Sequence, residues 1–269
     1  MNSNYNNILS ILDAISNETT KSIYIPSIKR DVQFKGINTG QQKSILKAAV
    51  DNPVFQTRFT IAFYELLQEN CLEKDILPKL TTIDGAAIAL QLRVAAAGSD
   101  YTLQQGNRKY KINLQTIVDK FKDINLVESE VLSDNVFVVT VGSPCIAEHY
   151  NIEKQLREKT VNDQQVLSAQ ITDTIGEAFV GEVSKFIKNI TVFYNNQEQQ
   201  TDYAFLPFAK RHALLEKIPN SVVQGVLKYM EKYVTIQKDL LTVSGTDIET
   251  SEIVNNLIIM VDSTLFIVS

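Results

Sequence analysis

Histidine and cysteine are scarce in this 269-residue chain, with two of each. That scarcity removes most of the usual reaction chemistry. Cys71 and Cys145 lie far apart and match no zinc-ligand spacing and no small disulfide framework, so two buried thiols in a reducing compartment are expected. Glu148-His149 has no second histidine four positions on, which excludes the zinc-protease helix. His149 is expected on a helix surface or in a local contact, and His212, beside Lys210 and Arg211, on a solvated basic face. No glycine-rich phosphate loop, dinucleotide fingerprint or Gly-x-Ser-x-Gly elbow is present, and Ser143 is explained as a helix cap. The sequence therefore offers no catalytic residue, no cofactor-binding residue and no metal ligand.

Long apolar runs are missing too. The longest, such as Leu257–Val261 and Val136–Val141, are far short of a membrane span. Met1–Tyr5 has no basic, apolar leader character, so folding in a cytoplasm is expected. Basic surplus is also lacking: the net charge of -5 argues against nucleic acid as a partner.

What remains is an ordinary globular composition, 44% hydrophobic and 21% charged, long enough for one large domain or two modest ones. Ile8, Leu9, Ile11, Leu12 and Ile15 mark an amphipathic N-terminal helix. Ser22–Ile28 alternates, but Pro26 restricts it to an edge strand or extended segment. Helices are predicted from Thr39 with Gln42 as a capping box, from Asn52-Pro53 through Leu67, and from Thr81-x-x-Asp84 to the stop at Gly98. The last is slim with alanine and is expected near the middle of its domain. Tyr101–Leu103 and Lys109–Ile112 flank Gln-Gln-Gly-Asn as a hairpin, and Leu126–Leu132 pairs with Val136–Val141 as a second. Asn113 caps a helix through Ile124, Ser143-Pro144 opens another, and Val166–Ile187 reads as a longer one. A short strand at Ile190–Tyr194 precedes a polar linker, Asn195–Asp202, and two helices follow over Pro207–Ile218 and Ser221–Leu241.

Charge is unevenly placed. Pro207–Lys238 carries six Lys or Arg against two Glu, whereas Asp239 to Ser269 carries five acids and no Lys or Arg. An acidic tail folded onto a basic helical face, or one of these faces meeting another subunit, are the two readings. The fold class expected is α+β, mainly helical with short antiparallel hairpins. Its parts are an N-terminal helical arm (1–21), an α+β main domain (22–200) and a helical C-terminal region with an acidic tail (201–269).

Several segments, in order, resemble the baseplate hub family of T-even-type contractile-tailed bacteriophages. They are Ile25-Pro26-Ser27, Phe34, Thr39-Gly40-Gln41-Gln42, Leu80-Thr81-Thr82-Ile83-Asp84, Leu90-Gln91-Leu92-Arg93 and Gly98-Ser99-Asp100-Tyr101. Val261–Phe266 is similar to the family's terminal segment. Some members carry a cysteine pair after the Gly…Tyr element, where this chain has Gln105-Gly106-Asn107, so no metal role carries over. The resemblance implies a structural, non-enzymatic component of the tail baseplate hub, assembled in the host cytoplasm and located in the virion. Its partners would be other baseplate and tail proteins, with further copies of the chain as an option, and neither nucleic acid nor membrane. A non-virion assembly chaperone and a cytoplasmic enzyme with scattered acids are the rival readings. Interface candidates are Ile8, Leu12, Arg93, Tyr101, Asp262 and Phe266. Asp84 and Arg93 fall on opposite faces of one helix, which assigns Asp84 to the cap and leaves Arg93 for a carboxylate elsewhere or on a neighbour.

Overall fold

Alternation of apolar residues builds the first element of the computed structural model, which describes residues 20–50, 57–134, 136–162, 179–195 and 197–266. Strands β1 (Thr20–Ile25) and β2 (Arg30–Lys35) form an antiparallel hairpin. Ile23, Ile25, Val32 and Phe34 are buried on one face. Pro26 falls just past β1, in the turn, where its missing N–H costs no ladder bond.

The chain separates into two compact units, Met1–Ile124 with Lys238–Ser269, and Asn125–Gln237. In the first unit, helices α1 (Thr39–Val50) and α2 (Thr57–Asn70) pack on each other, and α3 (Thr82–Ala97) packs on β1. α3 is buried on nearly every side from Ile83 to Arg93, as its run of small residues suggested. Strands β3 (Asp100–Gln105) and β4 (Arg108–Asn113) are the predicted hairpin, followed by α4 (Gln115–Lys120). β4 then pairs with β9 (Thr242–Asp247), which pairs with β10 (Ile253–Ile258), giving a four-stranded antiparallel sheet of order β10-β9-β4-β3.

The second unit holds another four-stranded antiparallel sheet, β5 (Glu130–Ser133), β6 (Phe137–Val141), β7 (Ile187–Tyr194) and β8 (Gln197–Asp202) in sequential order. Helix α5 (Ile146–Asn162) lies between β6 and β7 in the chain, and α6 (Phe208–Leu215) and α7 (Asn220–Leu241) follow β8. Val222, Val226, Tyr229 and Tyr233 recur at helical spacing as the buried stripe of α7. Tyr229 and Tyr233 meet Phe186 edge-on, at ring separations of 6.1 and 5.4 Å.

The expected mainly helical class is therefore wrong: the fold is mixed α/β, with two four-stranded antiparallel sheets besides the β1–β2 hairpin among the described residues. Two segments account for most of the error. Gln197–Asp202, read as a linker, is β8, an edge strand whose exposed polar side chains show no apolar alternation. The acidic segment after Leu241 is the β9–β10 hairpin, which completes the sheet begun by β3 and β4. The expected helices at Ile8–Ile15 and over most of Val166–Ile187, and the Asn52-Pro53 start, lie outside the described residues. The cap of α1 is also shifted: Asn38 Oδ1 accepts from Gln41 N at 2.9 Å while Gln41 Oε1 accepts from Asn38 N at 3.2 Å, so the capping box begins one residue before Thr39.

Candidate functional site

Two polar constellations stand out, one in each unit. The first gathers most of the segments that carry the family resemblance. At the start of α3, Thr81 and Asp84 form a complete capping box, and Asp84, fully buried, also accepts from the Ser27 amide at 2.9 Å. Asp84 is thus the cap the sequence assigned, and it ties the β1–β2 turn to the helix as well. Two turns on, Gln91 accepts from Tyr24 N and donates to Tyr24 O, both at 2.8 Å, clamping β1 by its backbone.

Arg93 is 5% exposed. Its Nε donates to Leu265 O at 2.9 Å and its Nη1 to Gly98 O at 3.0 Å, with the guanidinium 6.0 Å from the Tyr101 ring centre. The carboxylate partner expected for Arg93 is replaced by backbone carbonyls, and burial pushes its pKa down. Gln42 supplies a second hold on the same segment, donating to Phe266 O at 2.9 Å. Phe266 is buried, and Asp262 Oδ1 accepts from Thr264 N at 2.8 Å, shaping the turn that leads to it. Of the six interface candidates, Arg93, Tyr101, Asp262 and Phe266 thus come together around the 262–266 turn inside the first unit. Ile8 and Leu12 lie outside the described residues.

The second constellation was not foreseen. His149 and Glu153 sit one turn apart on α5, Nε2 to Oε1 3.1 Å, and Glu182 approaches from the short helical stretch 179–184. One ligand atom from each lies within 4.8 Å of the others. These three could hold a divalent cation, a tetrahedral site requiring bond lengths near 2.0–2.2 Å. Part of their negative charge is already matched from within, however. Lys185, 3% exposed, donates to Glu182 Oε1 at 2.5 Å and to Glu153 Oε1 at 3.4 Å. Lys188 pairs with Glu148 at 2.5 Å, and Glu148 Oε2 also accepts from Cys145 N at 3.2 Å to cap α5. A metal would have to displace a buried ammonium, so the geometry is that of an ion-pair network first. The i,i+4 spacing of His149 and Glu153 was readable in the sequence; the partners, some thirty residues later, were not.

Next along the chain, Arg211 is 4% exposed. Its Nε donates to Leu206 O at 2.8 Å and its Nη2 to Ala204 O, while Tyr203 Oη donates to Arg211 O at 3.0 Å and contacts Ser184 Oγ at 2.9 Å. Burial lowers the Arg211 pKa and raises that of Tyr203. These groups brace the start of α6 and give no open reacting centre.

His212, expected on a basic face, lies 3.6 Å from Glu216, just past the end of α6, and edge-on to Phe208. Cys71 is fully buried and Cys145 half-buried, both as free thiols. Comparison with protein-family models, curated proteins and solved structures finds no match to this chain.

Proposed function

We propose that this chain is a structural component of the tail baseplate hub of a contractile-tailed phage of T-even type, acting through protein–protein contacts in baseplate and tail assembly. One observation carries the proposal. Segments resembling that family are spread from Ile25 to Phe266, yet their polar side chains interlock within one unit: Asp84 on Ser27, Gln91 on Tyr24, Gln42 on Phe266 and Arg93 on Leu265. Each bond spends a side chain on the backbone of a distant element. That is how a scaffold is fixed in shape; reacting groups would instead converge on a cleft.

Exposed apolar residues support the same role. Ile248, Ile253, Ile258 and Met260 are exposed along the β9–β10 hairpin, and Phe193, Tyr194 and Phe205 around β7 and β8. Single exposed apolar groups are ordinary, but runs of them on hairpins suit contact with other subunits.

Mass spectrometry of purified tails, with crosslinking, tests the proposal. The expected result is the chain in mature tails, crosslinked to other hub proteins. Presence only in assembling lysates would move it to an assembly chaperone. A chain never found with tail proteins would overturn the reading.

A further inference from the structure

Among the described residues, the sheet of the first unit ends in two unpaired strands. In the order β10-β9-β4-β3, among the described residues, no further strand pairs with β10 or with β3. We propose that copies of this chain join head to tail, β10 of one copy adding as an antiparallel strand to β3 of the next.

Backbone register is the first ground. Asp247 N donates to Glu252 O at 2.9 Å, which makes these two a bonded pair. Bonded and non-bonded pairs alternate in an antiparallel ladder, so Ile253, opposite Thr246, turns its N–H and C=O away from β9 toward the open edge. At the other edge, Leu114 N donates to Ser99 O at 2.8 Å, and the same alternation turns Thr102, opposite Lys111, outward. Lys111 faces Thr246, so Thr102, Lys111, Thr246 and Ile253 form one row across the sheet. All four side chains are exposed. A second copy in the same orientation thus brings an outward-facing Thr102 beside an outward-facing Ile253, with no change of register.

Direction and side chains agree with this. All neighbours in the sheet are antiparallel, so β3 and β10 of one copy run in opposite senses, as an added antiparallel strand requires. The adjacent row holds Tyr101, Ile112, Gly245 and Val254. Ile112 and Gly245 are buried, while Tyr101 and Val254, at the two edges, are only half-buried. Joining the edges places Val254 against Tyr101 of the next copy and continues the core-facing row.

Charge is the second ground. Tyr110 opposite Asp247 sets the β3–β4 and β9–β10 turns at the same end of the sheet. The first carries exposed Arg108 and Lys109, the second exposed Glu249 and Glu252. In a head-to-tail neighbour the basic turn meets the acidic one. β10 is bulged between Val254 and Leu257, with Asn256 at φ 62°, so the seam is confined to the turn end and the association is reversible.

Sedimentation velocity over a range of concentrations, at low and high salt, tests this on the full chain. Wild type is expected to grow beyond a dimer with concentration and to shrink in high salt. Thr102→Pro and Ile253→Pro each remove one outward N–H and are expected to leave monomers. An equimolar mixture of the two retains one intact pair of edges, and a dimer with nothing larger is expected. Thermal melts check that both variants fold. Glu249→Lys with Glu252→Lys leaves both strands unaltered and is expected to weaken association at least about tenfold. A wild-type monomer at every concentration, a dimer that grows no further, or assembly indifferent to all these changes would overturn the proposal. It does not rest on the hub role: a chain monomeric alone yet present in purified tails would sink self-association and leave the hub reading standing.

Discussion

At the scale of single residues, long polar side chains do the joining. Arg93 shows why residue type matters. Its fork spans two carbonyls, Leu265 O and Gly98 O, from two separate donors on a buried group. Removing it leaves both acceptors without that donor, and charged hydrogen bonds of this kind contribute roughly 1.5–3 kcal/mol each. Arg93→Ala is expected to lower the urea midpoint by the equivalent of about 2–3 kcal/mol and to expose the 262–266 turn to proteolysis. Arg93→Lys should recover less than half of that, because one ammonium on a flexible stem does not reproduce the fork. A lysine variant as stable as wild type would show that charge alone suffices.

At the scale of elements, helices and local hairpins were readable, whereas β8 and the β9–β10 hairpin were not. The limits of α3 were written in Thr81, Asp84 and Gly98, a cap and a stop whose chemistry is local. The β3–β4 hairpin was legible for the same reason, through its Gly106 turn at φ 61°. β9 was not, because Thr-Val-Ser-Gly-Thr-Asp shows little apolar alternation: one position on its buried face is Gly245. A Cβ there would lie 2.6 Å from Ile112 Cγ2, 2.8 Å from Leu257 Cδ1 and 3.2 Å from Lys111 O. The glycine is thus explained by strands β4 and β10, not by any turn of its own. Gly245→Ala is expected to cost about 1–3 kcal/mol through overpacking, read as a lower denaturation midpoint; an unchanged midpoint would mean that the neighbours repack freely. The His149–Glu153–Glu182–Lys185 network was hidden for a related reason, since α5 supplies only half of it.

At the scale of the whole molecule, each unit buries a weak acid in its neutral form. Burial raises the pKa of Cys71 in the first unit above its ordinary 9.0, and those of Tyr203 and Tyr229 in the second above 10.0. Folded values above unfolded ones mean that the unfolded chain releases these protons first as pH rises. Their contribution is intact below the unfolded values and is lost as pH climbs through the folded ones. The melting temperature is therefore expected to decline above about pH 9, in a pH series of thermal melts. A flat profile through about pH 11 would refute it.

The first unit is assembled from two stretches of chain, with the whole of the second unit between them. A ribosome makes β4 well before β9, and the interval from Asn113 to Thr242 takes roughly 6 to 25 s at ordinary elongation rates. Throughout that time Tyr110 and Ile112 await the strand that will complete their sheet, while the contiguous second unit is already fully synthesised by Gln237. Order of birth is thus the reverse of order along the chain: the unit begun first is the last to close.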